Sequence, residues 1–183
     1  MVRFRLGMAA KPGWSGVVCT VIAIVVGLLA ATASAGTASS VSTVTCDRAA
    51  GSVRSAATPT GYRVVLGVVS VPPAYLSGRA VPSPTTNRQW PRWMKQALFV
   101  RARSPAVVVS VPKSWRTRAA IGWGTSSGPV SALRVASCAT PAGKWNVYPG
   151  GFYLRATSSC VPLVFQVGHR TVTVRFGIGR RCS

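Results

Sequence analysis

"VPLVFQVGHRTVTVRFGI" runs from Val161 to Ile178, and its reading decides the fold. Val161, Leu163, Phe165 and Val167 alternate with Pro162, Val164 and Gln166. Val172, Val174, Phe176 and Ile178 alternate in the same way. A period of two places each set on one face of a strand. Gly168-His169 separates the runs, and a two-residue connection that includes glycine reads as a β-hairpin turn. Each fully buried side chain of this kind contributes roughly 1.5–3 kcal/mol before entropy is subtracted.

The same signal extends upstream. "YRVVLGVVSV" (62–71), "QALFVRAR" (96–103), "AVVVSV" (106–111), "RAAIGWG" (118–124), "VSALRVASC" (130–138) and "FYLR" (152–155) are short, apolar or alternating, and bounded by Gly, Pro and Ser. That pattern predicts an all-β fold, an immunoglobulin-like β-sandwich of about 7–9 strands, spanning residues 61–183. In 96–103, Leu98, Val100 and Ala102 fall on one face and Arg101 and Arg103 on the other. One window departs from the pattern. In "WPRWMKQALF" (90–99), Trp90, Trp93, Met94 and Ala97 would share a helical face behind Pro91, which predicts a short helical turn. Residues 36–60 are small and polar and read as a flexible segment. Within it, Val41 to Cys46 alternates and predicts one edge strand. No internal repeat is present.

The N-terminus has its own logic. Arg3, Arg5 and Lys11 precede the uncharged run "VVCTVIAIVVGLLAA", and Ala33-Ser34-Ala35 fits a signal-peptidase site. Residues 1–35 therefore read as a signal peptide, or as an uncleaved anchor, with 17–33 long enough only for a minimal span. The expected location is extracellular or at the cell surface.

Cleavage there leaves Cys46, Cys138, Cys160 and Cys182. Four cysteines in an oxidising compartment predict two disulfides, with three connectivities open. Cys160 begins one strand of the last hairpin and Cys182 follows the other, so both lie at one end of the sheet. This register favours 160–182, with 46–138 as the complement.

Charge excludes several chemistries. Lys and Arg number 22, Asp and Glu together 1, giving a formal charge of +21. Asp47 is the sole acid. Glycoside hydrolysis by a carboxylate pair has no second carboxylate. Calcium, magnesium and catalytic zinc sites lack their ligands, so no metal and no cofactor is expected. "GTSSGPV" (124–130) fits G-x-S-x-G with Ser126 as nucleophile, but Pro129 and a strand follow where a nucleophile elbow needs a helix. An Asp47–His169–Ser126 triad would need Asp47 held against the imidazole, and Asp47 sits in the flexible segment.

What remains is cations interleaved with aromatics. Arg88, Trp90, Arg92, Trp93 and Lys95 form one cluster, and Lys113, Trp115, Arg116 and Arg118 a second. Trp145, Tyr148, Phe152 and Tyr153 add a third aromatic stretch. Arg and Trp together can hold anionic polymers or a lipid headgroup layer. The plain alternative is that each Trp is core and each Arg an outward, solvated residue.

"VSVPKSWRTRAAIGWG", "GGFYLRATSSCVPLVFQVG" and "TVRFGIGRRC" resemble a group of exported proteins of high-GC Gram-positive bacteria with no assigned activity. The resemblance covers roughly the last 90 residues. It implies export and a β-rich domain, and gives no residue a role.

The expectation is an exported, disulfide-stabilised basic module that binds an anionic envelope polymer or membrane surface without catalysis. Export argues against chromosomal nucleic acid as its partner. Two readings compete: a structural or protein-interaction envelope domain whose basicity is compositional, and a serine hydrolase.

Overall fold

The hairpin forms as its pattern requires. In a computed structural model, which describes residues 41–50, 52–53, 59–124, 128–140 and 144–183, it is the longest strand pair. Strands are numbered in chain order. β14 (Ser159–Val167) pairs antiparallel with β15 (Arg170–Ile178), Val161 opposite Phe176 and Leu163 opposite Val174. The alternate residues are buried on one face, as expected. Gly168 has φ +59 and His169 a negative φ, the sign pattern of a type II′ hairpin turn. His169 is exposed there.

β14 also pairs with β9 (Val107–Ser110), and the sheet continues through β11 (Ala132–Val135) to the edge strand β1 (Ser42–Val44). On its other side β15 pairs in parallel with β5 (Tyr75–Leu76). Among the described residues this six-stranded sheet is one of three. The second is β10 (Ala119–Trp123), β13 (Gly150–Leu154), β7 (Arg92–Lys95) and β6 (Val81–Pro82). The third is β2 (Ser52–Val53), β12 (Trp145–Tyr148), β8 (Leu98–Arg101), β4 (Val69–Val71) and β3 (Arg63–Val65). All three contribute to one core, which holds Leu163, Phe165 and Phe176 from the first sheet, Ile121, Trp123 and Phe152 from the second, and Leu98, Val100 and Tyr148 from the third. Phe152 lies 5.3 Å from Phe176 in a tilted ring contact that ties two sheets, and 5.7 Å edge-on from Trp123 within its own sheet.

An all-β fold of packed sheets is thus present, but with thirteen strands among the described residues of 61–183 rather than seven to nine. Two causes account for the difference. First, the run 62–71 is two strands, because Leu66 (φ +50) and Gly67 (φ +77) turn the chain so that Val65 faces Val69. Second, two-residue strands such as β5 and β6 are too short to show a period. The 90–99 window is corrected outright. It forms β7, with Trp93 opposite Tyr153 and Val81 on one face and Met94 packed against the core on the other. Pairing on both sides overrides the helical spacing. The edge strand expected from Val41 to Cys46 is β1, three residues long. Residues 1–35 and Ser126 lie outside the described residues.

The disulfides are Cys46–Cys138, with Cα atoms 5.6 Å apart, and Cys160–Cys182, at 5.3 Å, the pairing that the register favoured. Beneath the first lies a polar cluster. The Cys138 N–H donates to Asn146 Oδ1 at 2.9 Å, and Tyr148 Oη donates to the Ala136 carbonyl at 2.6 Å. Asn146 is only 1% exposed, so its amide oxygen must be paired.

Beside Gly150, Gly151 sets one of the two tightest backbone approaches in the second sheet. Its φ is +158, and a Cβ there would fall on the Met94 carbonyl oxygen. Gly168 has open space around it. Gly151→Ala should therefore cost at least about 3 kcal/mol, and Gly168→Ala only about 1–2 kcal/mol for the left-handed turn conformation. Urea denaturation of both variants checks the ranking. A second outcome follows from the phenols. Burial raises the Tyr148 and Tyr153 hydroxyls above the usual 10.0, and it raises Tyr62 likewise. With the folded value above the unfolded one, stability is fully present below pH 10 and falls as pH rises beyond it. Tyr148→Phe should flatten that decline in denaturation midpoints taken across the alkaline range.

Candidate anion-binding groove

Near Cys160 the outward face of the β14–β15 hairpin is the floor of a groove. Pro162 lies opposite Arg175, and both, with Thr173, line a cavity of about 290 Å³ together with Trp115, Cys160 and Ser183. Segment 179–183 folds back over β15 because Gly177 has no side chain. A Cβ at Gly177 would fall on the Arg180 carbonyl oxygen. Cys182 then closes the loop onto Cys160, and the Arg175 Nη1 donates to the Ser183 carbonyl oxygen at 3.3 Å.

Trp115 ends a 3₁₀ turn, Lys113–Trp115, that follows β9. Its N–H donates to the Pro112 carbonyl at 2.8 Å. Arg118 bends back so that its guanidinium sits 4.0 Å above the Trp115 ring, held by the Ser114 carbonyl at 3.2 Å. Ala119 pairs with Leu154, which brings Arg118 and Arg155 side by side at the end of the second sheet. The Arg155 N–H reaches the Arg118 carbonyl at 3.4 Å. Arg118, Arg155 and Arg180 line one cavity of about 340 Å³ with Trp115, Ser158 and Ser159. Among the described residues, the side chains of Arg155 and Arg180 have no hydrogen-bond or ion-pair partner. Farther along, Arg181 stacks 4.9 Å above Tyr75 beside Arg63.

No acidic side chain answers these cations. Asp47 pairs with Arg48 at 3.2 Å and accepts from the Thr45 hydroxyl, which holds its carboxyl below the usual range. It follows β1, whereas His169 follows β14. These strands stand three spacings apart, roughly 14 Å at 4.8 Å per strand. The Asp47 and His169 of the suggested triad are therefore not brought together. Both lie at the hairpin-turn end of the sheet, roughly 20 Å of strand from the Pro162–Arg175 pair of the groove floor. Among the described residues no cluster of His, Cys, Asp or Glu could hold a metal ion.

Of the residues singled out from the sequence, the groove gathers Trp115 and Arg118. Lys113 is exposed on the same 3₁₀ turn, and Arg116 Nε turns away to the Val111 carbonyl at 3.3 Å. The 88–95 cluster does not line the groove. Trp90 is 5% exposed and packs with Trp93, Ala120 and Tyr153 on the outer face of the second sheet. Arg88 is exposed in the preceding turn, Arg92 half-buried and Lys95 exposed on β7. Trp145, Tyr148 and Phe152 are core. Arg63, Arg155, Arg175, Arg180 and Arg181 were missed as a set, being up to 118 positions apart. The available signal was that Arg155 lies five residues before Cys160 and Arg175 seven before Cys182. Compared with family models, curated proteins and solved structures, the chain matches none.

The Cys160–Cys182 bond holds segment 179–183 against a like-charged floor. Replacing both cysteines by Ser should lower stability by about 3 kcal/mol, from a loop of this length. It should also raise amide exchange in 179–183 selectively. Unchanged exchange in that segment would show that Gly177 packing alone retains it.

Proposed function

We propose that this protein is an exported, non-catalytic module that binds an anionic polymer or surface of the cell envelope through the arginine groove. One observation carries the reading. Arg118 and Arg155 are forced side by side by strand register, Arg180 joins them, and no carboxylate among the described residues neutralises the three. Like charges placed together destabilise a sheet. A bound oxyanion reverses the sign of that contribution, since guanidinium forks match phosphate and carboxylate geometry. The two disulfides support residence outside the reducing cytoplasm.

Salt and substitution test the reading. Retention of the protein on an anionic polymer should fall steeply with rising salt, as counterion release requires. Arg118→Ala/Arg155→Ala should weaken binding by about tenfold or more, two charge-assisted contacts at roughly 1.4 kcal/mol per decade. Arg134→Ala/Lys144→Ala removes the same charge outside the groove and should weaken it far less. Equal losses in the two double variants would assign the basicity to composition and favour a structural domain instead.

A further inference from the structure

The groove consists of three cavities in a row. The first, about 340 Å³, shares Trp115 and Cys160 with the second, about 290 Å³. The second shares Arg175 and Ser183 with the third, about 430 Å³, which Arg63, Tyr75 and Arg181 close. The first and third have no residue in common, so their order is fixed by the shared walls. Each end carries the same device: a guanidinium stacked over an aromatic ring, Arg118 on Trp115 and Arg181 on Tyr75. The middle offers Arg175 on a strand floor.

From this arrangement we propose that the groove takes a linear polyanion in extended form, with one oxyanion-bearing repeat at each aromatic–arginine end and another against Arg175 between them. The proposal rests on the anion-binding reading above and specifies its ligand as a polymer. A bilayer fits poorly. Surface helices and loops that enter lipid present apolar side chains, yet here both rings lie under guanidiniums. Among the described residues the large exposed apolar side chains are Val41, Val64, Tyr75 and Val81, of which only Tyr75 lines the groove. A row of separate cationic cavities suits a chain of discrete charges. Occupancy of one end then raises the effective concentration of the next repeat at the other. Binding must therefore depend on ligand length.

Titration of the full chain with size-graded polyphosphates and oligogalacturonates, at equal anion concentration, tests this. Affinity per anion should rise by ~100-fold or more between a single-repeat ligand and one that spans the groove, then level off. The arm that shows the rise identifies the oxyanion as phosphate or carboxylate. Trp115→Ala/Arg118→Ala and Tyr75→Ala/Arg181→Ala should each abolish the rise while leaving weak single-repeat binding. Arg118→Gln and Arg181→Gln, which keep both rings, give the same result in variants least disturbed in fold. Equal affinity per anion at every length, or a rise that survives loss of either end, overturns the proposal while the anion-binding reading stands. Vesicles of phosphatidylglycerol and phosphatidylcholine that outcompete the long polymers overturn it in favour of a membrane. Failure of every polyanion to bind removes the anion-binding reading, and the proposal with it.

Discussion

A chain with one carboxylate must satisfy its cations by other means, and this constraint shapes the whole molecule. Among the described residues the guanidiniums turn to main-chain carbonyls and to aromatic faces. Arg101 Nε donates to the Gly67 carbonyl at 3.1 Å, and Arg170 Nη2 to the Leu66 carbonyl at 3.0 Å. Together they cap the Leu66 and Gly67 carbonyls of the tight β3–β4 turn. Arg101 also lies 5.0 Å over the Trp145 ring. Such contacts bring partial negative charge to a guanidinium without neutralising it. The net charge therefore remains, and stability depends on burial and disulfides instead of ion pairs.

The β14–β15 hairpin divides these duties between its faces. Its inner face supplies Val161, Leu163, Phe165, Val174 and Phe176 to the core. Its outer face supplies Pro162, Thr173 and Arg175 to the groove. A one-residue slip in register would exchange the two faces, exposing Phe165 and burying Arg175. The core thus enforces the position of the groove floor. At the far end, Gly168-His169 has only to reverse the chain. The sole histidine stands where a turn needs an exposed residue, away from the arginines of the groove.

The hairpin and the disulfide pairing were legible in the sequence for the same reason: a nine-residue alternation fixes both register and ends. The β7 strand was not. Trp90, Trp93, Met94 and Ala97 have a genuine helical spacing, and only the flanking strands β13 and β6 decide against it. Local pattern contains no information about such neighbours. The run 62–71 failed differently, because Leu66 adopts a positive φ that its side chain gives no reason to expect. The groove was half legible. Trp115 and Arg118 are three residues apart and announce themselves as a motif. Arg155 and Arg175 look like ordinary outward strand residues until register places them beside Arg118 and Pro162.

The Cys160–Cys182 bond joins these arguments. Segment 179–183 brings Arg180 and Arg181 toward Arg155, Arg175 and Arg63, an approach that Coulomb repulsion opposes at every step. Apolar burial does little to offset it, since Arg180, Arg181 and Ser183 are exposed. The covalent closure makes the arrangement persist without a ligand, because the loop constraint does not weaken as charge accumulates. An anion-binding surface assembled by attraction alone would open whenever its ligand left. One assembled by a disulfide against repulsion stays preorganised, and under the proposed function the repulsion it stores would become affinity when an anion arrives.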